Sequence, residues 1–112
     1  MMKQNQWQRI FEAEIQQAEE ARRKNNEGMA RVCARRAAGA VVGEYFLRNN
    51  LPDPNESAYD RLRLLRSLPD VSTAVKDASG RLTERVTPEH KLPNDADLIA
   101  EARWLKEQLL GQ

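Results

Sequence analysis

Residues 4–50 read QNQWQRIFEAEIQQAEEARRKNNEGMARVCARRAAGAVVGEYFLRNN, and this stretch decides the fold class. In its first part Trp7, Ile10, Phe11, Ile15, Ala18 and Ala21 or Arg22 recur at spacings of three and four. That is the period of one face of an α-helix. Gln, Glu and Arg fill the opposite face. Asn25-Asn26-Glu27-Gly28 then interrupts the pattern with turn-forming residues. A second stripe follows from about Gly28 to Asn50, with Met29, Val32, Cys33, Ala37, Ala40, Val41 and Phe46 or Leu47 as candidate core. Two amphipathic helices joined by so short a turn are antiparallel neighbours.

The second helix is rich in small residues, and Gly39 and Gly43 lie in its interior. A glycine there costs about 1 kcal/mol relative to alanine. The expected return is close backbone approach by another helix. Packing within the chain is favoured over a dimer contact, because the small-residue motif is best attested between helices in membranes.

Working outward, Leu51-Pro52-Asp53-Pro54-Asn55 is a loop, since proline cannot sit in a helix interior. Tyr59, Leu62, Leu65 and Leu68 mark a third helix that Pro69 ends. Val71, Ala74, Val75, Ala78 and Leu82 mark a fourth. Pro88 and Pro93 punctuate an irregular connection from Val86. Asn94 is a candidate N-cap, with Asp95 and Asp97 in the following turn. Leu98, Ile99, Ala102, Leu105 and Leu109 form the last stripe, and Gly111 suits the position just past a helix end. Helices are therefore expected near 4–24, 29–50, 57–68, 70–84 and 95–110. No strand alternation is visible. The expected fold is all-α: one domain over residues 1–112, an antiparallel up-and-down bundle of four to five helices.

Composition excludes several function classes. Lys and Arg number 18 against 17 Asp and Glu, so net charge argues for neither nucleic-acid nor membrane binding. One cysteine, Cys33, cannot form an internal disulfide, and no Cys/His spacing suits zinc. No metal or cofactor is expected, and a reducing, cytoplasmic compartment fits. Met1 to Gln6 has no apolar stretch of the signal-peptide kind. The longest apolar run, Ala37 to Gly43, is far below the roughly 20 residues that span a bilayer.

Two clusters invite a functional reading. Arg22, Arg23, Lys24, Arg31, Arg35 and Arg36 straddle the first turn. Arg31, Arg35 and Arg36 are candidate phosphate ligands, because guanidinium forks match phosphate oxygens. The alternative is a solvated face balanced by Glu19, Glu20 and Glu27. The second cluster is Arg85 with the single histidine, His90. A histidine transfers protons near neutral pH and an arginine steadies an anionic phosphorane, the two capacities that RNA cleavage by a neighbouring 2′-hydroxyl requires. An exposed loop histidine is the plainer reading. Cys33 reads as a small core residue. Trp7 and Trp104 read as core or interface.

The order of these features resembles the HEPN family, the higher-eukaryote and prokaryote nucleotide-binding domain. The likeness rests on Ala18-Glu19-Glu20-Ala21-Arg22-Arg23, then Ala30 to Gly39 after the turn, Tyr59 to Leu65, Leu82 to Pro88, and Asp95 to Leu105. It implies a helical bundle, often a homodimer. Family members bind nucleotides, associate with nucleotidyltransferase partners in toxin–antitoxin pairs, or cleave RNA without metal. The cleaving members carry Arg, usually a polar residue, then a short spacer and His. Arg85 and His90 match that spacing, whereas Val86 and Pro88 depart from it. The reading the resemblance favours is a homodimeric domain that binds a nucleotide, RNA or a nucleotidyltransferase-type protein without strong catalysis of its own. The alternatives are a metal-independent endoribonuclease using Arg85 and His90, and a purely structural interaction module.

Overall fold

A computed structural model describes residues 6–54, 57–84 and 96–112. They form five helices and, among the described residues, no strand: α1 (Gln6–Arg23), α2 (Glu27–Arg48), α3 (Ala58–Ser67), α4 (Thr73–Thr83) and α5 (Leu98–Leu110). The fold is an all-α bundle. No helix of the described residues is long and apolar enough to cross a membrane.

Local chemistry sets the helix ends. Asn25 takes the left-handed conformation at φ 60°, and Asn26 caps α2 by accepting from the Met29 amide at 3.1 Å. Ser57, Ser72 and Asp97 cap α3, α4 and α5 in the same way. Each such cap contributes about 1 kcal/mol. Asp97, expected inside the last helix, is thus its N-cap; Asn94 lies outside the described residues. Pro69 and Asp70 form a turn, so α4 starts after Ser72 rather than at residue 70. Gly111 adopts the left-handed position at φ 68° that closes α5.

The chain reverses between α1 and α2, placing Arg48 over the Trp7 ring and Cys33 beside Gln17. α5 also opposes α1, with Asp97 at Arg22, Arg103 at Glu19 and Lys106 over Phe11. It therefore runs in the same sense as α2. The central α2 buries Cys33, Ala34, Ala37, Ala38, Val41, Val42 and Phe46. Trp7, Phe11 and Ile15 of α1 join Leu62, Leu65, Leu82 and Leu105 around it. Burying each large side chain is worth about 1.5–3 kcal/mol.

Four residues read as core from periodicity are exposed: Ile10 at 42%, Met29 at 47% and Leu47 at 72%, with the small Ala74. The apolar stripes are wider than the strip each helix presents to its neighbours. Phe11 and Phe46 take the inward positions, which turns Ile10 and Leu47 outward.

Candidate functional site

The basic turn is largely neutralised from within. Arg22 bridges Glu27 and Asp97, each at 3.0 Å, and so ties together the ends of α1, α2 and α5. The Glu27 hydrogen bond raises the Arg22 pKa most, burial opposes it, and Asp97 adds to it. Arg23 and Lys24 both pair with Glu20, whose carboxyl they hold below the usual range, Arg23 contributing more.

The three candidate phosphate ligands divide. Arg35 donates from Nε to the Leu82 carbonyl at 2.7 Å and from Nη2 to Glu84 O at 3.5 Å. It satisfies carbonyls that the end of α4 leaves without helical partners. Arg36, one residue on and thus about 100° round the helix, lines a groove on another flank. Neither Arg31 nor Arg36 makes an ion pair or hydrogen bond among the described residues. The structure does not bring the three guanidinium groups to one point.

That groove, of about 900 Å³, lies over α2 between α1 and the start of α3. Trp7, Ile10 and Glu14 line it from α1, and Arg36, Ala40, Gly43, Glu44 and Leu47 from α2. Steps of three and four place each set on one helix face. From Arg36 to Leu47 the wall runs about 16 Å at the α-helical rise.

The third wall explains both glycines. A side-chain carbon at Gly39 would stand 2.5 Å from Ala58 Cβ and 2.8 Å from Ala58 Cα. One at Gly43 would stand 2.7 Å from the Arg61 guanidinium carbon. α3 can therefore cross α2 here only over bare backbone, so the close approach lies within the chain. Arg61 is held down by Asp53 through Nη2 at 2.7 Å and donates from Nη1 to the Gly39 carbonyl at 3.2 Å.

At the other end, Glu14 and Arg36 adjoin the buried Cys33. Burial, then the Glu14 carboxylate, push the Cys33 thiol up, and Arg36 opposes them. Glu14 Oε1 and Trp7 Nε1 are buried with no hydrogen-bond partner among the described residues. Glu14 and Arg36 share no ion pair.

A smaller cleft of about 460 Å³ between α4 and α5 is lined by Asp77, Arg81, Glu101 and Trp104. Two of its three charges pair with each other, since Arg81 donates to both Glu101 oxygens at 2.9 and 3.1 Å. Arg85 and His90, the candidate catalytic pair, lie outside the described residues. Among the described residues no group of three or more His, Cys, Asp or Glu is arranged to hold a metal.

Sequence reading located Arg36 but missed Glu14 and Arg61, whose placement depends on contacts between helices. The one available signal was the doubled choice of Phe46 or Leu47 for the second stripe, where one apolar residue exceeds what a single core face accepts. No protein-family model matches the chain, and neither a curated protein nor a solved structure does.

Proposed function

We propose that the chain is a HEPN-like helical binding domain that acts by associating with protein, either a second copy of itself or a nucleotidyltransferase-type partner, through the groove over α2. The observation that carries this reading is the exposure of Ile10 and Leu47 on that groove. Both continue core stripes in sequence, yet neither is covered. Apolar side chains exposed together on one depression are the kind of surface that association with a partner would cover.

Nucleotide or RNA binding is the weaker branch. Bases are commonly held by stacking on exposed aromatic rings. The groove's aromatic residue, Trp7, is only 6% exposed. Only Arg36 of the three candidate phosphate ligands lines the groove.

Titration calorimetry at low salt tests the choice, with ATP, GTP, short single-stranded RNA and a co-purified nucleotidyltransferase-type protein, beside a measurement of self-association. Saturable association with protein, lost in Ile10→Asp/Leu47→Asp while helix content is kept, is the expected result. Saturable nucleotide binding that survives that double substitution overturns the reading. Metal-independent RNA cleavage that disappears in His90→Ala installs the endoribonuclease in its place.

A further inference from the structure

The smaller cleft, between α4 and α5, shares no lining residue with the groove over α2. α4 contributes Ala74, Asp77 and Arg81, which steps of three and four put on one face. α5 contributes Ala100, Glu101 and Trp104. Arg81, near the end of α4, meets Glu101, near the start of α5, so α5 leads back along α4. About one turn from that pair, on either helix, stand Asp77 and Trp104, and both line the same space. The remaining walls are the small, exposed Ala74 and Ala100.

Charge and aromaticity mark this space independently. Arg81 is engaged by Glu101 through two bonds, whereas Asp77 is exposed with no hydrogen bond or ion pair among the described residues. Glu101 does most to hold the proton on Arg81, burial opposes it, and Asp77 and Glu84 add to it, so three carboxylates surround one guanidinium. The neighbouring bases of α5 are turned elsewhere: Arg103 pairs with Glu19 at 3.2 Å, and Lys106 lies 5.0 Å from the centre of the Phe11 ring. The cleft therefore keeps a net negative charge. Other rings of this chain carry a cation, Arg48 over Trp7, Arg63 over Tyr59 and Lys106 over Phe11. Trp104, partly exposed in the acidic cleft, is covered by no cation of the described residues. We propose that this cleft takes the cationic side chain, lysine or arginine, of a partner protein, with the cation held between the Trp104 ring and the Asp77 carboxylate. An indole face attracts a cation through its quadrupole, and the carboxylate supplies the opposite charge. The site is independent of the groove over α2 and of whatever occupies it.

Proton–nitrogen correlation NMR of the full chain is the test. Its two tryptophans give two indole signals, and the buried Trp7 serves as an internal control. Lysine and arginine, each blocked as the N-acetyl amide, are expected to shift the Trp104 signal saturably while the Trp7 signal stays in place. One cation–ring contact with one exposed counter-charge implies a dissociation constant in the millimolar range. Added salt should weaken the response. Blocked norleucine, which keeps the alkyl chain without the charge, should move neither signal. Asp77→Asn, at an exposed helix position, should weaken binding about two- to fivefold. Asp77→Lys, which places a cation in the cleft's own wall, should abolish it. Circular dichroism and melting establish that each variant is folded. A Trp104 signal that ignores both blocked cations overturns the inference. So does norleucine acting as well as lysine, or a response that Asp77→Asn and Asp77→Lys leave at the parent's strength.

Discussion

Two flanks of α2 make opposite use of the same kind of sequence. Under α3, Gly39 and Gly43 sit beneath Ala58 and Arg61 with no space for a side chain. One turn round, beside α1, Ala40 and Leu47 border open space. Small residues thus close one flank by inviting a helix onto the backbone, and the large apolar Leu47 stays uncovered on the other. The comparison teaches that stripe composition alone does not say which face is core: a leucine-bearing face is the exposed one here.

The sharpest way to break the comparison is Gly39→Leu. Its nearest obstruction includes the Ala58 backbone, which cannot rotate away, so the loss should exceed about 3 kcal/mol, the upper end of ordinary overpacking. Urea unfolding measures it, and a parent-like midpoint would show the α2–α3 crossing to be loose. Gly43→Leu should cost less, because the guanidinium it meets can swing aside. Arg61→Ala comes next, at about 1–2 kcal/mol, for loss of the Asp53 pair and of the bond to the Gly39 carbonyl. An unchanged melting temperature would mean that Arg61 merely rests on Gly43.

A third experiment uses pH. Burial alone would push the Asp97 carboxyl up, but the Ala100 amide, the Arg22 guanidinium and the Ile99 amide together hold it below the usual carboxylate range. A depressed carboxylate stabilises the folded chain fully above its unfolded value of about 4, and that contribution fades as pH falls through the lower folded value. Asp97→Ala should therefore flatten part of the acid limb of the stability curve. The effect should stay under about 1 kcal/mol, because both Asp97 and Arg22 are well exposed. Parallel acid limbs in parent and variant would contradict it. The smallest effect belongs to the open flank: in dilute, monomeric protein Leu47→Ser should shift stability by no more than about 0.5 kcal/mol. A larger loss would mean that Leu47 is covered within the monomer.

Much of the fold was legible because it follows from local rules. Trp7, Phe11, Ile15, Ala18 and Ala21 repeat at the helical period and are all buried. Asn25 and Asn26 make the expected turn, and Gly111 ends the last helix. Gly39 and Gly43 announced a close approach, but not that α3 makes it, since Ala58 and Arg61 meet them only through the tertiary fold. The site was less legible for the same reason. Arg35 and Arg36 are neighbours in sequence and look alike, yet one reaches the end of α4, 47 positions away, and the other faces the groove. Asp97 reads in sequence as a first-turn acid behind Asn94, and the bond it accepts from the Ala100 amide makes it the cap instead.

The buried thiol has a practical consequence. Cys33 is the only cysteine in the chain and is 1% exposed beneath the α1–α2 seam. A thiol reagent can reach it only when that seam parts, so the rate of labelling in native protein is a clock for local opening. The wild-type sequence thus carries its own single-site reporter, and any occupant that clamps α1 to α2 should slow it.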